Sequence, residues 1–275
     1  MKVSFTLPGE AAQPYVSTYY LFEDDSRLID DAQRADCGHL RFLIEGSGTQ
    51  FLPIGKRAAM TPVMLTGPHS KASRFRLNGP FRFMGCSLRA RAWGGLVAQT
   101  AEHMSESGGD ALLFLRSPPD TLLHALKTCA TLEQMVPFLD AYLTQQIRPL
   151  PAEHEAIIEA IRAWLFADAF PKVEALYAQC ALGERQVTRI SNRYWGAPPK
   201  SLARTYSALR TASKILTSGG IIPDDAIGHY ADRPHLIREV KRVTGMTPRH
   251  LGTINDKILQ LTLGANFFRE LMPLA

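Results

Sequence analysis

Apolar and polar residues alternate with a period of two through the first third of the chain, the spacing of an antiparallel sheet with one buried face. Runs at 16–22, 39–45, 49–53, 62–66, 73–77 and 81–88 fit short strands. Arg74-Phe75-Arg76-Leu77 and Arg82-Phe83-Met84 show the alternation most plainly. Gly46, Gly48, Gly67 and Asn78-Gly79-Pro80 fall between the runs as turn residues. After Leu88 the period lengthens to three or four, which predicts helices at 92–104, 121–128 and 132–146 and leaves 105–110 (Ser-Glu-Ser-Gly-Gly-Asp) as an exposed loop. Arg148-Pro149-Leu150-Pro151 then interrupts the pattern, and the chain beyond reads as helices with short breaks. The expectation is an α+β protein: a small antiparallel β-barrel with C-terminal helices over 1–150, an all-α domain over 151–260, and a tail over 261–275.

The all-α part has a definite organisation. A short helix at 171–179, a turn at Cys180-Ala181-Leu182-Gly183 and a second helix at 184–195 give helix-turn-helix spacing. Val187, Ile190 and Tyr194 form the inward stripe of the second helix, which leaves Arg185, Gln186, Thr188 and Arg189 on its other sides. A long helix follows from Pro199 to about Leu216, ended by Gly219-Gly220. A second unit comes next: a short helix at 224–230, a turn at Ala231-Asp232, and a helix at 233–244 with Asp232 as N-cap and Gly245 as terminator. Leu236, Val240 and Val243 face inward there, while Arg233, Ile237, Arg238 and Lys241 face outward. Helices of this kind enter the major groove of B-DNA, where arginine makes bidentate contact with guanine.

Charge sharpens this picture. The 275 residues carry a net charge of +5, but residues 1–151 are nearly balanced, whereas residues 172–258 hold fourteen Lys and Arg against seven Asp and Glu. A basic surface is therefore expected where the helix-turn-helix units lie. Cys37, Cys86, Cys129 and Cys180 are scattered and suggest neither a disulfide framework nor a CxxC zinc site. No signal peptide or membrane span is expected, and a cytoplasmic location follows.

Leu182-Gly183-Glu184-Arg185-Gln186-Val187-Thr188-Arg189, Gly196 and Pro199-Lys200, and above all the run from Tyr230-Ala231-Asp232-Arg233-Pro234-His235-Leu236 through Lys241 to Gly245-Met246-Thr247-Pro248, resemble the DNA-binding domain of the AraC/XylS family of bacterial transcription regulators. The resemblance spans about 105 residues. It implies base contacts from Arg185, Thr188 and Arg189 in the first unit and from Arg233, Pro234, Ile237 and Arg238 in the second. Lys200, Lys241, Arg242 and Arg249 are the cations expected on phosphates. Departures occur at Gly183 and Ser191, where the family has Ser and Phe, and in the second unit at Ile221-Ile222-Pro223-Asp224-Asp225 and His229, where it has a regular apolar helix and a Gly.

Pro14-Tyr15-Val16-Ser17, Gly38-His39-Leu40-Arg41-Phe42, Thr66-Gly67-Pro68 and the segment from Gly85 to Trp93 resemble the cupin-like N-terminal domains fused to such regulators. That resemblance implies a small-molecule effector, a homodimer, or both. The expected partners are thus double-stranded DNA, an effector, a second copy and RNA polymerase, with no membrane. Phe42, Phe51 and Trp93 are candidates either for an effector pocket or for the core. His39, Glu45 and His69 are the residue types of a cupin metal site but lack the close His-x-His pair, so no metal and no cofactor is expected. No nucleophile motif or phosphate-binding loop appears, and no catalytic residues are assigned. An activator or repressor is the leading reading; a cupin-like enzyme fused to a helix-turn-helix domain is the alternative.

Overall fold

The computed structural model describes residues 1–117, 119–254, 256–264 and 269–273. Its first half is one antiparallel sheet of eight strands: β1 (Lys2–Thr6), β2 (Val16–Asp24), β3 (Leu28–Gln33), β4 (Gly38–Phe51), β5 (Arg57–Ala59), β6 (Val63–Thr66), β7 (Ser73–Leu88) and β8 (Gly108–Asp110). The main order is β1-β2-β7-β4-β6-β8, with β3 pairing on β7 and β5 on β4. Two long strands organise it. The pairs 39–45/49–53 and 73–77/81–88, expected as separate strands, are single bent strands, because the turn residues between them sit at bulges. At Gly46 φ is +93° and a Cβ would press on Phe81 and the Pro80 and Asn78 carbonyls, so only glycine lets β4 bend against β7. Opposite it, Pro80 falls where β7 changes partner from β3, which ends at Asn78, to β2, which starts at Phe81; the missing N–H is thus not demanded by a ladder.

The bends curl the sheet, and alternation sorts its side chains between two cores. Tyr19, Leu21, Leu40, Phe42, Met84 and Cys86 belong to one that also takes in the helices. Phe22, Phe75, Leu77, Phe81 and Phe83 build the other, inside the curl. The sheet is followed by α1 (Ala90–Gly95), α2 (Ala101–Met104), α3 (Asp120–Thr128) and α4 (Leu132–Gln146). The single expected helix at 92–104 is thus two short ones. The expected loop at 105–110 carries β8 at its end, and Glu106 within it accepts hydrogen bonds from the Ser70 amide (2.7 Å) and hydroxyl (2.5 Å).

The second half is helical: α5 (Ala152–Ala167), α6 (Val173–Gln179), α7 (Glu184–Trp195), α8 (Pro199–Thr217), α9 (Asp224–Ile227), α10 (Arg233–Thr244), α11 (Pro248–Leu251) and α12 (Lys257–Leu263). Its core is continuous with that of the sheet: Leu88, Trp93 and Met104 belong to the same apolar cluster as Tyr194, Leu209 and Leu259. The protein is therefore α+β, with helices on one face of a curled sheet continuing into an all-helical half. Of the segment expected as a tail, residues 265–268 and 274–275 lie outside the described residues; within the rest, Leu263, Glu270 and Leu271 are buried. No helix among the described residues is long and apolar enough to cross a membrane.

Candidate functional site

The first helix-turn-helix unit is α6 and α7. Leu176 of α6 packs with Val187, Ile190 and Tyr194 of α7 in the common core, so the apolar stripe fixes which side of α7 is turned out. Gly183 caps α7 without a side-chain bond, and Gly196 closes it in the left-handed conformation at φ +82°. Ser191, where the family resembled in sequence has Phe, is fully buried and donates to the Ala197 carbonyl at 2.6 Å. The anchor is a hydrogen bond in place of a ring. Arg185, Gln186 and Arg189 are exposed, and none of the two arginines pairs with a carboxylate among the described residues. Thr188 is half-buried, its hydroxyl 3.3 Å from that of Tyr177.

The helix α8 carries nineteen residues and joins this unit to the next; at 1.5 Å per residue it spans about 28 Å. In the second unit α9 is only one turn, shorter than the helix expected at 224–230. Its support is tertiary. His229 stacks flat on Phe170 with ring centroids 3.7 Å apart, the Tyr230 hydroxyl meets that of Thr211 at 3.0 Å, and Lys214 pairs with Asp225 at 2.8 Å. The reading candidate α10 is capped as expected: the Asp232 carboxylate accepts from the His235 amide at 2.5 Å, and Gly245 ends the helix at φ +77°. Arg233, Pro234 and Arg238 are exposed and Ile237 is half-buried.

Among the cations expected on phosphates, Lys200, Lys241 and Arg249 are exposed. Arg242 is placed differently. It is half-buried and donates to the Ser70 carbonyl, to the Glu239 carboxylate at 3.1 Å and to the Thr205 hydroxyl at 3.4 Å. The amides of Ala72 and Ala35 reach the carbonyls of Arg242 (3.0 Å) and Val243 (2.7 Å), so the end of α10 is docked on the sheet. Glu239, itself buried, also takes a bidentate bond from Arg204 at 2.6 and 2.7 Å. Burial pushes its carboxyl up, but the Arg204 and Arg242 guanidiniums outweigh that and hold it below the usual range.

The curl of the sheet encloses a cavity whose walls are Phe5, Tyr20, Phe22, Phe75, Leu77 and Phe83. Its mouth is covered by α12, which contributes Ile258, Leu261 and Thr262. The cover is tied down by the Ile258 amide on Asp31 (3.0 Å) and by Arg34 on the Thr262 carbonyl (2.7 Å). Polar side chains line the cavity beside Arg41, which is 3% exposed and donates to the Tyr20 hydroxyl (3.1 Å), Gln33 Oε1 (3.0 Å), Thr66 (3.3 Å) and Gln50 (3.4 Å). All four partners are uncharged. No carboxylate pairs with this guanidinium among the described residues.

The three aromatic pocket candidates lie elsewhere: Phe42 is fully buried in the core, Phe51 sits under Arg57 and Arg76, and Trp93 packs against Gly38 on a second cavity between the sheet and α8. The barrel cavity escaped sequence reasoning because its aromatic walls alternate with core residues on the same strands. Arg41, set between Leu40 and Phe42, was its one visible mark. Of the metal candidates, Glu45 is exposed and paired in register with Arg82, away from His39. His39 is grouped with Asp36 and Cys37 instead. Burial lowers the His39 pKa against the pull of Asp36, and burial pushes that of His69 down to about 4.

No protein-family profile matches the chain, and no curated protein matches it in sequence. Among solved structures, ToxT from Vibrio cholerae aligns with 92% of this chain and 98% of its own length, at 6% identity and a TM-score of 0.48. Wild-type ToxT from V. cholerae strain SCE256, bound to an unsaturated fatty acid, aligns over 85% of this chain and 98% of its own, at 10% identity and a TM-score of 0.43. The AraC-like transcriptional activator CuxR aligns over 74% and 83%, at 12% identity and a TM-score of 0.29.

Proposed function

We propose that this protein is a sequence-specific, double-stranded-DNA-binding transcription regulator of the AraC/XylS type, with a sensor part over 1–150 and a DNA-binding part over 151–260. The observation that carries the reading is the pair of helix-turn-helix units joined by α8, each with exposed arginines on the helix that would enter the groove. In this reading Arg185, Thr188 and Arg189 read bases from α7, and Arg233, Pro234 and Arg238 do so from α10, with Ile237 and Pro234 limited to apolar contact such as a thymine methyl. Lys200, Lys241 and Arg249 bind phosphates, while Arg242 holds α10 to the sheet. A homodimer and contact with RNA polymerase complete the reading.

The test is selection of duplexes from a random-sequence pool, followed by titration of the enriched site. Arg189→Ala or Arg185→Ala is expected to cost about 1–3 kcal/mol on that site and to relax its sequence preference. Enrichment of no sequence at all would overturn the regulator reading; an equal loss on every duplex would overturn base reading by these arginines.

The cavity under α12 is the proposed effector site. A buried guanidinium with only neutral partners, set among aromatic walls, suits a small amphipathic molecule whose acid group reaches Arg41. Binding of medium-chain carboxylates, measured by calorimetry on the full chain, should be lost in Arg41→Gln. Equal binding by the alcohols of the same chains would exclude the acid contact.

A further inference from the structure

The partition between the barrel cavity and the cavity under α8 is built from Asp36, Cys37 and His39, with one ligand-capable atom from each lying within 4.8 Å of the others. The hydrogen bonds around this group fix which of its atoms carry lone pairs. Gln33 Oε1 accepts from Arg41 Nη2 (3.0 Å), a group that can only donate, and this fixes the orientation of the Gln33 amide. Its Nε2 therefore faces His39 Nε2 at 3.2 Å and Asp36 Oδ2 at 3.4 Å. An amide nitrogen does not accept, so His39 Nε2 carries the lone pair, and the ring proton sits on Nδ1 and is donated to the Tyr20 hydroxyl at 3.0 Å.

Two lone-pair atoms, His39 Nε2 and Asp36 Oδ2, then face each other at 3.3 Å in a buried place. Each accepts one N–H of the Gln33 amide, a neutral contact that a cation bound between the two atoms would replace. The separation is itself informative: two ligands about 2.0–2.1 Å from a tetrahedral Zn2+ stand roughly 3.3 Å apart. Asp36 Oδ1 is occupied by Arg34 (3.3 Å) and the Cys37 amide (2.9 Å), which turns Oδ2 inward, as an outer contact does for a metal-binding carboxylate.

A second observation is independent of this triad. The backbones of Asp36 and His69 exchange hydrogen bonds at 3.0 and 2.8 Å as an antiparallel pair, which sets their side chains on one face. His69 is 4% exposed, and neither ring nitrogen has a partner in hydrogen-bond geometry, the Pro68 carbonyl beside the ring included. It lines the same cavity as Asp36 and Cys37. Its two orphaned nitrogens thus lie on the wall of the cavity that Asp36 and Cys37 also line.

We propose that Asp36, Cys37 and His39 form a site for a divalent cation of borderline softness, Zn2+ by its mixture of sulfur, nitrogen and oxygen donors, with His69 on the cavity wall as the residue that would turn in to complete it. On binding, the Cys37 thiol loses its proton to solvent. The sequence conceals such a site because the four residues fit no standard zinc spacing. The proposal stands or falls separately from the DNA-binding reading.

The probe is Co2+, titrated into the chelator-treated full-length protein. One equivalent should produce a thiolate-to-cobalt charge-transfer band in the near ultraviolet together with the intense visible bands of four-coordinate cobalt, and one equivalent of Zn2+ should abolish both. Cys37→Ser should remove the charge-transfer band. Asp36→Asn and His39→Ala should weaken binding by more than about tenfold, and Cys180→Ser should change nothing. Absence of the band in the wild-type protein at one equivalent, or its persistence in Cys37→Ser, would overturn the proposal. The wild-type spectrum decides the matter even if a variant fails to fold.

Discussion

At the scale of single residues, position in the fold separates cations that look alike in the sequence. Lys200 and Arg249 are exposed, and replacing either by alanine should lower the slope of log affinity against log salt by about 0.9, measured on the selected duplex and on random DNA alike. Arg242→Ala should leave that slope unchanged and instead lower the melting temperature, since its bonds go to Ser70, Glu239 and Thr205. A drop in slope equal to that of Lys200→Ala would return Arg242 to the phosphate-binding set. Ser191 makes a contrasting case. It is fully buried and bonded to the Ala197 carbonyl, so Ser191→Phe should overpack the site and destabilise the protein by about 1–3 kcal/mol, read by denaturant unfolding. Gain of stability would show that this core has room for an aromatic ring.

At the scale of elements, what the sequence displayed depended on whether local and tertiary forces agreed. Where they agreed, the reading was close: α7, α8 and α10 have apolar stripes, and α10 has Asp232 as its cap and Gly245 as its terminator, all set by residues in or beside the element. Where a strand partner decides the outcome, local signals misled. Gly46 and Asn78-Gly79-Pro80 have turn chemistry, but the pairing of β4 with β7 carries both strands through as bends. β1 and β3 were missed because Lys2–Thr6 and Leu28–Gln33 gain their strand character from β2 and β7 beside them. The cluster at Arg41 was likewise hidden, since curling of the sheet and not chain spacing assembles it. The second unit shows the same dependence. Its positioning helix is a single turn held by Phe170, Thr211 and Lys214. Phe170→Ala should therefore weaken binding to the part of the site read by α10 and leave the part read by α7 unchanged, as shown by base-substituted duplexes. Uniform weakening across both halves would contradict this division.

At the scale of the whole molecule, one apolar cluster runs from the sheet through α1 and α5 to α8 and α10. The two halves should then unfold in a single calorimetric transition, and two resolved transitions would show that the shared core contributes little. Acid should loosen the docking of α10 in particular. The Glu239 carboxyl is held below its usual range by Arg204 and Arg242 despite burial, so its contribution is fully present above the unfolded value of about 4.3. It is lost as the pH falls through the lower folded value. Wild-type protein should lose its stability advantage over Glu239→Gln across that acidic window, followed by circular dichroism; a constant difference would remove Glu239 from the account.

The path of the chain after α10 has a genetic consequence. The segment that leaves the second helix-turn-helix unit becomes α12, the cover of the barrel cavity, tied there through Asp31 and Arg34. The second unit is thus fastened at both ends, by α8 before it and by the cover after it. Lesions between Ile254 and Met272 would be pleiotropic: a nonsense or frameshift mutation there would open the barrel and unfasten α10 in one event, although it touches no residue proposed to meet DNA.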